Sequence, residues 1–400
     1  MRILIANEAL SGGGGVETYL ATLVPALQAA GHEVGVLHDN PASERGPQRI
    51  APDATWRAGV RDEGLDVAIA RVRRFAPDVC FSHNMRALAI DARLLAEWPV
   101  VKMMHGHFGT CVSGQKAFAF PGVTACTRSF GPGCLAYYLP RRCGQANPFV
   151  MMRQYAWGSE QRSLFDRYRA IVVASRFMRE EYLAAGVAPG SVHAIPLFAP
   201  PHVAGAMSDE GPRPIDVLFL GRMTPLKGPD VLVDAAGRAS ARLGRRLSVV
   251  FAGEGPERER LGALAASRGI DARFPGWVGP AERDRLLRDA AIIAVPSRWP
   301  EPFGLVGLEG GVFGTPAVAF DAGGIAEWLT DGENGRLIAP ARGAAGFGDA
   351  IADVLENPAL RRRLAAGARA AAARLSLDSH VRLLMTVLGR ARAAASAAAI

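Results

Sequence analysis

Two carboxylates, two cations and a histidine carry most of the chemistry legible in this chain of 400 residues. Glu301 lies in the run Pro296-Ser297-Arg298-Trp299-Pro300-Glu301-Pro302-Phe303-Gly304-Leu305, directly after the apolar stretch 291–295. A residue before proline is pushed toward extended backbone, so Glu301 belongs to a loop at a strand end. Gly304 allows close backbone approach, and the helix that opens at Leu305 presents free N–H groups that favour an anion. Glu309 projects from the start of that helix, so one carboxylate precedes the anion site and one follows it. Arg222 and Lys227 sit in Gly221-Arg222-Met223-Thr224-Pro225-Leu226-Lys227-Gly228, just past the apolar run 215–220. An arginine forks two phosphate oxygens and a lysine supplies a compact charge. His105 follows the apolar run 100–104, and open α/β sheets bind ligands beyond the carboxyl ends of their strands. Together these residues suit a phosphate-bearing, polyhydroxylated ligand. Taken singly, each also fits a solvated turn or a glutamate favoured by a helix dipole.

The elements that must position them are strands alternating with helices. Residues 2–7 read as a strand, Glu8 to Gly15 as a loop with four consecutive glycines, 16–30 as a helix and 33–38 as a second strand. That is a βαβ unit. Gly13 and Gly14 fall where backbone N–H groups at a helix start meet phosphate. The loop is not G-x-G-x-x-G, and His38-Asp39-Asn40 is a poor match for the acidic ribose ligand of a dinucleotide site. Further strands are expected at 78–82, 100–104, 170–174 and 192–195, with Ser175 as a helix N-cap. Prolines and glycines from 196 to 214 mark a linker. A second series of strands then begins at 215. The expected organisation is an α/β protein with domains at 1–198 and 212–374 and a last helical segment at 375–400.

Composition narrows the class. The chain is 49% hydrophobic and 21% charged, with a net charge of +8 that is mostly arginine. No apolar run approaches the ~18–20 residues of a membrane span, and residues 1–7 turn polar too soon for a signal peptide. These features lead us to expect a cytoplasmic protein. The arginine excess suits peripheral contact at the anionic inner face of a membrane, an anionic acceptor, or mere codon bias. No zinc finger, RNP sequence or basic tract points to nucleic acid. From 108 to 152 the regular patterning gives way to Gly, Pro, Cys and aromatics, which reads as an insertion. Cys111, Cys126, Cys134 and Cys143 all lie there, without a C-x2-C pair. Packing thiols, a cysteine-ligated structural metal and two disulfide bridges all stay open for them. Arg128, Arg141, Arg142 and Arg153 in or beside this segment suit an anionic or lipid-linked acceptor.

The ordered set resembles the family 4 retaining glycosyltransferases of the GT-B fold. That set is a glycine loop, a strand-end histidine, G-R-x4-K-G, Glu301 and Glu309 as E-x7-E, and Gly323-Gly324-Ile325-Ala326-Glu327 as G-G-x-x-E. The resemblance implies two Rossmann-like domains facing each other across a cleft, with the C-terminal helix crossing back to the first domain. It implies that Glu301 and His105 meet the donor sugar and that Glu309 holds the ribose. Arg222 and Lys227 would neutralise the diphosphate, and the backbone at Phe303, Gly304 and Leu305 would meet sugar and phosphate. Gly13 and Gly14 would lie near the phosphates, with Gly253 and Val278 beside the base. The implied reaction moves a sugar from a UDP- or GDP-sugar to a glycan, lipid-linked or small-molecule acceptor. It proceeds by front-face attack, with no metal or other cofactor required. A GT-B epimerase or phosphorylase, a non-catalytic nucleotide-sugar-binding protein and a basic adaptor are the alternatives. Two departures stand out: Gly310 and Gly311 inside the helix after Glu301, and the cysteine-rich insertion.

Overall fold

The computed structural model describes residues 1–12, 14–40, 48–52, 55–199 and 213–398. The N-terminal half is built on a seven-stranded parallel sheet. In spatial order its strands are Val192–Ala194, Ala170–Val173, Val100–Met104, Val79–Ser82, Arg2–Ala9, Glu33–Asn40 and Trp56–Gly59. Runs such as Ile3-Leu4-Ile5 and Ile171-Val172-Val173 are fully buried. Continuous burial is what helices on both faces of a parallel sheet require. The C-terminal half repeats the plan with six parallel strands in the order Asp271–Gly276, Ser248–Ala252, Ile215–Leu220, Ala290–Val295, Ala317–Phe320 and Gly335–Ile338.

In each sheet the chain winds outward in two directions from a central pair of strands. The pairs are Arg2–Ala9 beside Val79–Ser82, and Ile215–Leu220 beside Ala290–Val295. At such a switch point the loops after the two strands diverge and leave a crevice for ligand. The loops that diverge here are those carrying the glycines, His83, Arg222 and Glu301. The strands of the first sheet fall between residues 2 and 194 and those of the second between 215 and 338, and residues 200–212 of the expected linker lie outside the described residues.

Three segments differ from the sequence expectation. The glycine-rich stretch is partly ordered as a strand, since Ser11–Gly12 pairs antiparallel with Gln48–Arg49. The irregular segment 108–152 holds a two-residue-per-strand hairpin, Ala117–Phe118 with Thr124–Ala125, and a short helix Gly133–Tyr138. Its end is already helical: the helix Pro148–Ser163 starts with Pro148 and is capped by Asn147, whose side chain accepts from Phe149 N at 2.9 Å. An Asn cap followed by Pro at the first helical position is a start signal that the preceding cysteines and glycines obscured.

The last helix, Leu377–Ala398, returns to the first domain. It buries Leu384, Val387, Leu388 and Ala391 in the core that holds Ile3, Ile5 and Leu20. Gly310 and Gly311, unexplained by sequence, are sites of close packing in the helix Leu305–Val312. A Cβ on Gly310 would lie 3.0 Å from Ile293, and one on Gly311 would lie 2.7 Å from the carbonyl oxygen of Ala368. The helix is pressed between the sheet and the helix Pro358–Arg374, and a side chain at either position would force them apart.

Candidate active site in the cleft

The cation loop and the glutamate loop are locked together. Gly228 has φ +67°, and a Cβ there would fall 2.1 Å from the Pro296 carbonyl oxygen, so the two loops touch backbone to backbone. Arg298 N donates to Leu226 O at 2.8 Å, and the Arg298 guanidinium holds Asp230 at 2.8 Å. The outcome is an ion pair: Lys227 Nζ lies 2.7 Å from Glu301 Oε1. Ser297 Oγ donates to the same carboxylate oxygen. Glu301 is only 3% exposed, and its backbone is clamped by Gly324 N, which donates to Glu301 O at 2.7 Å. Glu301 is thus a loop residue, as the following proline requires. Gly304 adopts φ +78° and turns the chain into the helix Leu305–Val312.

Lys227, Glu301, Phe303, Gly304 and Leu305 line one cavity of about 360 Å³, together with His105, Gly15 and Tyr19 of the first domain. A second cavity of about 470 Å³ adjoins it, sharing Thr18 and Leu220, and is lined by Arg222, Gly253, Trp277, Val278 and Arg283. Arg222 is exposed and has no ion-pair partner among the described residues. Glu309 is buried, with Arg283 Nη1 3.8 Å from its carboxylate, which places it behind the second cavity. Gly14 caps the helix Gly15–Ala29, and Gly15 is the glycine that lines the cavity; Gly13 lies outside the described residues. The Phe303 ring belongs to the core, and its carbonyl accepts from Trp328 Nε1 at 2.7 Å.

The first domain contributes a histidine pair that sequence reading only half found. His105 Nε2 and His83 Nδ1 share a hydrogen bond of 2.9 Å. Tyr19 packs against both rings and its hydroxyl pairs with His380 Nε2 at 2.8 Å, while His380 Nδ1 pairs with Pro196 O at 2.7 Å. Burial is the chief cause that lowers the His105 pKa to about 3 and the His380 pKa to about 4, so both rings are neutral near pH 7. His83 follows the strand Val79–Ser82 as His105 follows Val100–Met104, so the same strand-end rule would have found it. His107 faces the other way and pairs with Pro300 O at 3.0 Å. Together with Ser175 Oγ donating to Pro302 O at 2.7 Å, it fastens the Glu301 loop to the first domain. Glu327 of the G-G-x-x-E loop accepts from Arg176 N at 2.6 Å, capping a first-domain helix from the second domain. The cleft is therefore braced shut beside the site.

A third cavity, about 490 Å³, lies on the far side of the histidine pair. It is lined by His83, Asn84, Arg86, Phe108, Arg153 and Trp157, at the carboxyl ends of Val79–Ser82 and Val100–Met104. His83 Nε2 is buried there without a partner. Beneath it Lys102 and Asp91 form a buried ion pair of 2.7 Å, completed by Ser82 and Tyr168. The four cysteines of the insertion carry free thiols. Cys134 and Cys143 donate to the carbonyls of Ser129 and Tyr137, and the Lys116 backbone donates to Cys111 Sγ. No group of three His, Cys, Asp or Glu among the described residues is arranged to hold a metal.

Two Rossmann-like domains with their switch points facing one cleft define the GT-B class. The family model described as Glycosyltransferase Family 4 matches residues 13–201, and that described as Glycosyl transferases group 1 matches residues 208–371. A D-inositol 3-phosphate glycosyltransferase of Acidothermus cellulolyticus is 38% identical over 94% of this chain and 85% of its own length. Another protein of that name, from Nocardioides, is 38% identical over 44% of this chain and 42% of its own. Among solved structures, Anabaena HepE in complex with UDP and glucose superposes with a TM-score of 0.68 at 18% identity, covering 98% of this chain and 100% of that one. Sucrose-phosphate synthase of Thermosynechococcus elongatus superposes with a TM-score of 0.69 at 21% identity, over 98% and 100%. The chain belongs to glycosyltransferase family 4 and is a glycosyltransferase of the GT-B fold.

Proposed function

We propose that this glycosyltransferase moves a sugar from a nucleotide diphosphate sugar, with retention of anomeric configuration and without a metal ion, to a small polyhydroxylated acceptor bearing an anionic group. The observation that carries the reading is the Lys227–Glu301 pair at 2.7 Å beside the N-terminus of the helix Leu305–Val312. A cation, a carboxylate and free backbone N–H groups then converge on one cavity. In this reading the diphosphate lies between Arg222, Lys227 and the helix N-terminus, which stabilise the charge that develops on the leaving group. The base fills the cavity at Gly253 and Val278, and Glu309 takes the ribose hydroxyls. Glu301 and neutral His105 orient the donor sugar through its hydroxyls. The acceptor hydroxyl attacks the anomeric carbon from the face the diphosphate leaves, and the departing phosphate oxygen takes its proton. The acceptor occupies the cavity at His83, Arg86 and Arg153, where two guanidiniums suit an anion and Phe108 and Trp157 suit a ring face. The name of the relatives, a glycosyltransferase of an inositol phosphate, supports that acceptor class.

The test is a transfer assay pairing UDP- and GDP-sugars with inositol phosphates, read by product anomeric configuration with and without EDTA. Retained configuration and EDTA indifference are expected. An inverted product, or activity abolished by EDTA and restored by a divalent cation, would overturn the mechanism. Donor hydrolysis without transfer to any polyol phosphate would overturn the acceptor class.

A further inference from the structure

Apart from Arg153, which lines the proposed acceptor cavity, the insertion presents a surface that the transfer reaction does not use. Of the eight large apolar side chains left exposed among the described residues, five lie in it: Phe120, Tyr137, Leu139, Phe149 and Met152. Phe149 is 83% exposed, at the start of the helix Pro148–Ser163. Phe149, Met152 and Arg153 are spaced i, i+3 and i+4, so they share one face of that helix. In the same insertion, three arginines lie on aromatic rings. Arg128 is 4.1 Å from the Tyr137 centroid, Arg141 is 4.3 Å from Phe118, and Arg142 is 5.2 Å from Phe120. None of Arg128, Arg141, Arg142 or Arg153 has a carboxylate partner among the described residues. The sequence explains this, because no Asp or Glu occurs between Glu97 and Glu160. Lys102 and Lys116, also in that interval, are buried on Asp91 and Glu181 and do not contribute to the surface charge.

We infer that this face docks the enzyme on an anionic lipid bilayer. Three considerations select that occupant. The patch has unpaired positive charge and no acidic counterpart, so a second copy meeting it in a two-fold interface would set arginine against arginine. Exposed phenylalanine, tyrosine and methionine among arginines match the depth profile of a membrane interface, with rings at the headgroup level and guanidiniums on phosphates. No helix among the described residues is long and apolar enough to cross a membrane, so the contact is peripheral. Arg153 also lines the cavity beside His83, so docking turns the mouth of that cavity toward the lipid.

The test is sedimentation of the full chain with vesicles of phosphatidylcholine containing phosphatidylglycerol, against phosphatidylcholine alone. Binding to the anionic vesicles only, weakened by salt, is expected. Each arginine at an anionic surface contributes about a fivefold gain in partition, so the Arg141→Ala/Arg142→Ala variant should bind roughly thirtyfold more weakly. Phe149→Ser/Met152→Ser should reduce binding at high salt as well, with an unchanged melting temperature because both side chains are exposed. No sedimentation with anionic vesicles, or equal binding by both variants, would overturn the inference. So would a concentration-dependent dimer in light scattering that Phe149→Ser abolishes, which would assign the face to a second copy. The melting shift produced by UDP or GDP, read on the same preparations, separates loss of docking from loss of the cleft.

Discussion

Replacing Glu301 by Gln should make the enzyme bind free nucleotide diphosphates more tightly while transferring sugar more slowly. Lys227 Nζ is held at 2.7 Å by a carboxylate that is 3% exposed and that, among the described residues, otherwise accepts from Ser297. A diphosphate entering the cavity has to draw on a cation already engaged by this buried anion, and the two negative groups repel each other. Gln keeps an acceptor oxygen for Lys227 and removes the charge. A charge-assisted hydrogen bond is worth about 1.5–3 kcal/mol net and a neutral one about 0.5–1.5, so about 1 kcal/mol is released to the diphosphate. That corresponds to roughly a fivefold lower dissociation constant for UDP or GDP. Transfer moves the other way, because a carboxylate contact to a sugar hydroxyl is lost, and kcat/KM should fall by about 10- to 100-fold. Isothermal titration with UDP and GDP, run beside steady-state kinetics, reads both effects. Lys227→Ala is the control and should weaken nucleotide binding. Unchanged or weaker diphosphate binding by Glu301→Gln, together with no effect of Lys227→Ala, would refute the assignment of Lys227 to the phosphates.

Gly311→Ala should lower the urea midpoint: the ~1 kcal/mol gained in helix propensity is outweighed by ~1–3 kcal/mol of overpacking. The added methyl would meet Ala368 O at 2.7 Å, and an unchanged or raised midpoint would refute that close approach. Asp91→Ala strands Lys102 in the core and should cost about 3–5 kcal/mol in urea unfolding, whereas a loss below the error of the measurement would show that the pair is hydrated. Stability should also depend on pH through the buried histidines. Above pH about 6.5 their rings are neutral in both states and contribute nothing. As pH falls below that value the unfolded chain takes up protons that folded His380 resists until about pH 4, so stability declines through this window. Urea midpoints measured down the pH scale should show this slope, flattened in His380→Gln, and an equal slope in the variant would rule the histidine out.

The sequence by itself determined the two α/β series and the order of the chemical groups along them. Apolar runs such as 215–220 and 291–295, each followed by Gly or Pro, place Arg222, Lys227 and Glu301 at strand ends, and this needs only the local preferences of the backbone. It could not determine that Lys227 and Glu301, 74 residues apart, form an ion pair, because that depends on which strands are neighbours in the sheet. It missed His83, although the strand-end rule that singles out His105 applies equally to it; what no local rule supplies is the pairing of the two rings, which depends on their strands being neighbours in the sheet. It left Gly310 and Gly311 unexplained, because a glycine required by a neighbour's carbonyl looks the same in sequence as one that merely weakens a helix. The roles of Ser175, His107 and Glu327 in bracing the cleft, and of His380 beneath the first domain's loops, were decided by tertiary structure alone. Each joins residues more than 100 positions apart, and only the packing of the two sheets and the returning last helix brings them within hydrogen-bonding distance.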